Sequence, residues 1–196
     1  MNKNLSLRSD FFTSIIDHRI VKFIKDEPPV NVDKMVAWGV ETTITAKLAT
    51  LGGAFDLSGS LGHAFVHARY TDYDPSLAAI KGPVVEFTPE HHFNADLFVE
   101  FTSGISIETW AVFLLNQKIY VMDHRPTDTN APYSTSYFTT VNLHNPFLWN
   151  FKTSFSFAKY YKAIFTVMNI LDDYNANPFN PGPGRRFYIS ISARWE

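Results

Sequence analysis

Strict alternation of apolar and polar side chains, sustained over unusually long runs, limits most what this chain can fold into. From Val36 to Leu48 one set of positions reads Val36, Trp38, Val40, Thr42, Ile44, Ala46 and Leu48. The intervening set reads Ala37, Gly39, Glu41, Thr43, Thr45 and Lys47. Between His92 and Phe101 the residues Phe93, Ala95, Leu97, Val99 and Phe101 alternate with His92, Asn94, Asp96, Phe98 and Glu100. Near the C-terminal end Phe187, Ile189, Ile191, Ala193 and Trp195 alternate with Tyr188, Ser190, Ser192 and Arg194. At the start, Leu5, Leu7, Phe11 and Ile15 oppose Ser6, Arg8 and Asp10. Successive side chains of a strand point to opposite sides, so each run has one apolar and one polar face. Soluble strands cluster near about 5–6 residues. These runs extend over about 10–18, the length a tilted strand needs to cross a bilayer.

The connections carry a second signal. The pattern predicts strands near 5–24, 34–50, 54–71, 91–103, 105–121, 136–157, 161–172 and 185–195. The gaps between them alternate in length. Long ones fall at 25–33, 72–90, 122–135 and 173–184, and short ones at 51–53, 104 and 158–160. Outer-membrane barrels have this asymmetry, with long extracellular loops and tight periplasmic turns, which places both ends of the chain on the periplasmic side. The fold class expected is therefore all-β, an antiparallel transmembrane β-barrel segment of about eight meandering strands. Within 136–157, Asn145-Pro146 should bulge or break the strand; a hairpin near 145–150 is the alternative. Phe55, Phe101, Tyr160, Tyr161 and Trp195 fall near the short turns or the chain end, where an interfacial aromatic girdle or ordinary core packing would both place them.

Composition removes other classes. The absence of cysteine excludes disulfides, thiol catalysis and Cys-based zinc sites. A net charge of −2 with scattered Lys and Arg gives nucleic acid no basic footprint. The longest apolar run, Trp110 to Leu115, is far shorter than a transmembrane helix requires. No signal-peptide h-region precedes the first alternating run. Among the histidines, His63 and His67 share a strand face but lie about 13 Å apart, too far for one metal ion, and the adjacent His91 and His92 point oppositely. His91, His92, His124 and Arg125, close to the extracellular loops, are candidate ligand contacts. Asp172-Asp173 reads as a turn, Pro181-Gly-Pro-Gly-Arg-Arg186 lacks the spacing of a phosphate loop, and no nucleophile elbow is present. No enzyme, cofactor or metal site is expected.

One segment points to a family. Val167-Met-Asn-Ile-Leu-Asp-Asp-Tyr174, then Pro181-Gly-Pro-Gly-Arg185 and an alternating strand ending at Trp195, resembles the C-terminal signature of TonB-dependent outer-membrane receptors. In that family an Asn-Leu-Phe-Asp-like element with a following Tyr ends the penultimate strand, and a Gly-Arg pair leads into the closing strand with its terminal aromatic. Asn169, Asp172, Tyr174, Gly184, Arg185 and Trp195 fall on those positions. Gly39-Val-Glu41 resembles the family's recurring Gly-Xaa-Glu element, and Asp10-Phe-Phe-Thr-Ser-Ile-Ile-Asp17 its aromatic-rich strand. Glu196 departs from the pattern by running one residue past Trp195.

The resemblance implies the closing part of a 22-stranded barrel for iron-siderophore, cobalamin or other scarce ligands, with residues 1–196 as the C-terminal part of the barrel domain. It implies outer-membrane lipid, the remaining barrel, a plug, the TonB complex acting through that plug, and the barrel-assembly machinery at the C-terminus as partners. The plug and signal peptide have no counterpart in these residues. Asn169 and Asp172 would satisfy backbone groups where the strand leaves the sheet, and Arg185 would pair with a lumen carboxylate such as Glu41. Two other readings stand beside this one: a self-contained eight-stranded outer-membrane barrel with a structural or pore role, and a soluble lipocalin-like barrel with its apolar face inward.

Overall fold

A computed structural model describes residues 4–21, 30–72, 84–122, 138–157, 160–173 and 184–193. They form ten strands: β1 (Leu5–Val21), β2 (Val30–Leu51), β3 (Phe55–Asp72), β4 (His91–Phe101), β5 (Ile105–Leu115), β6 (Lys118–Met122), β7 (Phe138–Asn142), β8 (Phe147–Phe157), β9 (Tyr161–Met168) and β10 (Arg186–Ala193). Eight of them make one antiparallel sheet in the order β1-β2-β3-β4-β5-β8-β9-β10, and β6 with β7 makes a separate two-stranded ribbon. The sheet is a meander in which each strand pairs with its successor along the wall, so β1 and β10 are its two edges among the described residues.

Two of the expected strands are interrupted. The one expected over 105–121 stops at Leu115 and resumes as β6 after Asn116, whose φ is +60°. The one expected over 136–157 breaks between Asn142 and Phe147, at the fully buried Pro146. The break is a bend and not a hairpin: Pro146 lacks an N–H, but its carbonyl still accepts from Leu114 N–H at 3.2 Å. Beyond these two interruptions, the β5 and β8 directions continue as the β6–β7 ribbon.

The short connections are tight turns of defined chemistry. Gly52 and Gly53 both have positive φ (50° and 78°), the geometry of a two-residue hairpin turn that matches strand twist. Gly104 at φ 85° closes the β4–β5 turn, its N–H donating to Phe101 at 3.0 Å. Neighbouring turns are themselves linked, through Thr102 N–H to the Ala54 carbonyl and Ser156 N–H to the Gly104 carbonyl. All of these lie at one end of the sheet. At the other end residues 84–90 fold back against the wall: Val85 is buried with Met35, Ala37 and Tyr70 in a hydrophobic cluster on the polar face.

The register carries the alternation from strand to strand. Phe11 faces Val40, Val40 faces Phe65, Leu61 faces Ala95, Ala95 faces Ala111 and Ala111 faces Trp149. Because directly opposed residues share a face, one side of the whole sheet is apolar and the other polar. A bulge at Leu48, where Lys47 pairs Ser58 but Ala49 pairs Leu57, shifts the alternation without breaking that division.

Candidate functional site

The two faces of the sheet are the functional surfaces. On the apolar face, large side chains stay open to the surroundings even in the middle of the sheet; Leu61 on β3 is 62% exposed. Exposed large apolar side chains recur on this face of β1, β2, β3, β4, β8, β9 and β10, and a contiguous apolar patch marks an interaction or membrane surface. The serine and threonine hydroxyls at paired positions of this face among the described residues are internally satisfied. Ser9 and Thr42 share a hydroxyl hydrogen bond at 3.0 Å across β1 and β2. Thr13, Thr109 and Thr153 donate to the carbonyls of Ala37, Asn150 and Ser106. The Trp149 indole donates to Thr109 Oγ1 at 2.6 Å. A hydroxyl bonded in this way meets a solvent that offers no hydrogen bonds without an unpaired group.

Between the short turns and the His91 row the charged side chains lie on the polar face, whereas Asp17, Lys34 and Arg69 fall on the apolar side beyond that row. Arg8 and Asp10 pair at 2.6 Å on β1, Lys47 reaches Asp56 at 3.1 Å, and Lys152 of β8 meets Glu108 of β5 at 2.5 Å. Asp96 and Glu100 of β4 lie on the same side, opposite Ser60 and Asp56. Across β4, β5 and β8, no charged side chain falls on the apolar face.

Aromatic side chains concentrate at two levels of the apolar face. Near the short turns, Phe55 packs on Phe101 at 5.8 Å and Phe157 stacks on Tyr161 at 5.7 Å; Tyr160 is beside them and exposed. Toward the long connections, Trp38 contacts both Phe65 and His67 at 5.5 Å, and His63 stacks on Phe93 at 4.4 Å.

The residues singled out from the sequence separate into groups. Gly39 is buried opposite Phe12, and a Cβ there would lie 2.6 Å from the Phe12 ring and collide with the Phe65 carbonyl. Glu41 lies exposed on the polar face opposite Asp10 and Ala64, and Arg8 is close enough to feel its charge. The expected Arg185–Glu41 pair is not formed: β3, β4, β5, β8 and β9 stand between their strands. Instead the Arg185 N–H donates to Asp172 Oδ1 at 2.6 Å, just after Gly184, tying the start of β10 to the end of β9.

Asn169 and Asp172 both hold left-handed backbone, with φ of 55° and 58°, which Asn and Asp adopt most readily after glycine. Asn169 is 5% exposed; its N–H donates to Asn150 Oδ1 at 2.9 Å, its amide donates to the Asp173 carbonyl, and its Oδ1 accepts from Asp173 N–H. Asp173 accepts in turn from Phe147 N–H and faces His144 at 3.1 Å. This knot fastens the ends of β8, β9 and β10 together. Asp173, read from the sequence as part of a turn, is central to it; Asn150 and His144 belong to it although no motif marked them, and only the register that sets Asn150 beside the end of β9 reveals their part. His91 and His92 diverge as alternation requires: His92 is exposed on the polar face, while His91 lies on the apolar face with its Nδ1 3.0 Å from His63 Nε2. Sequence spacing directed attention to His63 and His67; the β3–β4 register brings together His63 and His91 instead. Tyr174, Trp195, His124 and Arg125 lie outside the described residues.

No protein-family model matches the sequence, and no curated protein sequence does. Solved structures do match the fold. The whole chain (100%) superposes on 31% of the outer membrane transporter YddB from Escherichia coli, with a TM-score of 0.73 and 12% identity. Over 98% of its length it superposes on 24% of a chain in the complex of FpvAI with pyocin S2, with a TM-score of 0.59 and 14% identity. The fold is thus that of an outer-membrane β-barrel wall, of the kind seen in an outer membrane transporter. The chain spans less than a third of the length of either structure.

Proposed function

We propose that this chain is the C-terminal stretch of barrel wall in a TonB-dependent outer-membrane transporter, with its apolar face in lipid and its polar face toward the lumen. The observation that carries the reading is the division of charge between the short turns and the His91 row: there ion pairs and carboxylates gather on one face, while the other is apolar with every hydroxyl named above internally bonded. The two sheet edges fit the same reading. An eight-stranded barrel closed on itself would pair β1 with β10, and no such pairing occurs among the described residues. A soluble barrel would put its apolar face inside, yet the crowded and buried positions such as Ala37, Asn150 and Ser154 are on the polar face.

In this proposal the rest of the barrel joins at β1 and β10, and a plug contacts the polar face and couples it to the TonB complex. The barrel-assembly machinery reads the C-terminal strand. The cargo is a scarce ligand of the iron-siderophore type. His92 is the described candidate for touching it from the polar side; His124 and Arg125, outside the described residues, are the others proposed. The test is uptake of radiolabelled ferric siderophores by cells of the source organism, with the gene intact, deleted, or intact in a background lacking TonB. Uptake lost in both altered strains supports the proposal; uptake unchanged on deletion for every siderophore tried removes the cargo assignment. Absence of the protein from the outer-membrane fraction removes the reading altogether.

A further inference from the structure

The apolar face is not uniform. Between β2 and β8 it dips into a groove of about 300 Å³, floored by Ala95 and Ala111 and walled by Ile44, Leu61, Phe93 and Phe113. Its origin is the register: Ala95 and Ala111 stand directly opposite each other, flanked by Leu61 on one side and Trp149 on the other. Two methyl groups in a row of large side chains leave a channel in an otherwise filled surface. Its upper end is closed by the His63 ring, stacked on Phe93 and hydrogen-bonded to His91.

The charges on this face complete the pattern. On β3 the cation Arg69 follows His63 and His67 on the apolar side, and β4 contributes His91. No carboxylate falls on the apolar face of β4, β5 or β8. The height agrees as well. His91 and Phe101 are the two ends of β4, about 33 Å apart along a strand rising 3.3 Å per residue. A tilt of about 40° turns that into roughly 25 Å of height, the thickness of the apolar band of an outer-membrane barrel. With Phe55 and Phe101 at the lower interface, His63 and His91 stand at the level of the upper headgroups.

We propose that the apolar face of β3, β4 and β5 binds one lipid of the surrounding leaflet, with an acyl chain in the Ala95–Ala111 groove and an acidic phosphate headgroup at His63 and His91. The proposal rests on the reading of this face as lipid-facing. An anionic oxygen at the mouth favours the arrangement in which His63 Nε2–H donates to His91 Nδ1, because it leaves His91 Nε2–H pointing onward as a donor. Arg69, permanently charged, adds attraction from above.

The experiment is native mass spectrometry of the protein extracted from its own outer membrane into mild detergent and offered phosphatidylglycerol and phosphatidylcholine with identical acyl chains. The unaltered protein should retain phosphatidylglycerol in about five-fold preference, the enrichment that one nearby cation provides. Replacing His63, Arg69 and His91 together by Ala should bring the ratio near one while phosphatidylcholine retention persists. Ala111→Phe should reduce retention of both lipids, with Ala95→Leu as the gentler filling, whereas Ala163→Phe on the same face of β9 should change neither. Heat-modifiable migration is checked for each variant, so that a misfolded barrel is not read as a lost site. Equal retention of the two lipids by the unaltered protein, or retention unaltered when the groove is filled, overturns the proposal. A protein missing from the outer-membrane fraction overturns the lipid-facing reading instead, so the two failures are distinct.

Discussion

Phe12 lies directly across the β1–β2 ladder from Gly39, and its ring covers the space where a Cβ would stand, 2.6 Å from that position. The pair behaves as one unit: a glycine leaves the backbone open, and the aromatic ring across the ladder fills the gap. Beneath the ring, the Phe65 carbonyl closes the remaining space.

Gly39→Ala should therefore destabilise the barrel by about 1–3 kcal/mol, the cost of overpacking where backbone as well as side chain must shift. Phe12→Ala combined with it should recover part of the loss, with non-additivity above about 0.5 kcal/mol in a double-mutant cycle. Urea unfolding in lipid vesicles measures both, and strict additivity would refute the unit.

The division of faces makes an asymmetric prediction. Leu97 sits on the apolar face near mid-height, opposite Gly59 and Thr109. Leu97→Arg should cost about 2–4 kcal/mol. Thr43→Asn, on the polar face opposite Arg8 and Gly62, should stay within about 0.5 kcal/mol. Equal costs in the same vesicle assay would reverse the assignment of facing.

The Asn169 knot predicts a graded series. Asn169→Ala removes both side-chain bonds to Asp173 while keeping a left-handed backbone that Ala resists. The expected loss is about 1–3 kcal/mol for the buried hydrogen bonds, with about 1 kcal/mol more for the backbone. Asn169→Gly should be the milder of the two, since glycine relieves the backbone term alone. Were Gly no better than Ala, the left-handed geometry would not be limiting.

The free edges set the behaviour of the 196-residue chain on its own. Backbone groups of β1 and β10 left unpaired at membrane depth cost several kcal/mol each. Refolded in detergent, the chain should aggregate or join edge to edge. A monodisperse monomer that shifts on heating in SDS gels would contradict this.

The facing of the strands was legible because alternation is a local property: Val36 to Leu48 carries its two faces whatever pairs with it. The tight turns were equally legible, since Gly52, Gly53 and Gly104 announce positive φ. What pairing decides was hidden. Nothing in the spacing of His63 and His91 tells that β3 and β4 register them side by side, or that Asn150 meets the end of β9. Asn116 gave little warning of a break, because a left-handed Asn looks like any other in sequence, whereas Pro146 marked its own. The Arg185–Glu41 expectation failed on sheet order, which motifs do not encode.

The interruption of β5 and β8 separates two parts of the molecule. At Asn116–Gln117 and at 143–146 the wall gives way to a ribbon held by a handful of bonds, among them Leu143 N–H to the Gln117 carbonyl and Asn116 N–H to Asn145 Oδ1. In the proposed transporter, such a joint would let an insertion, deletion or exchange in the ribbon leave the pairing of the wall strands below it unchanged.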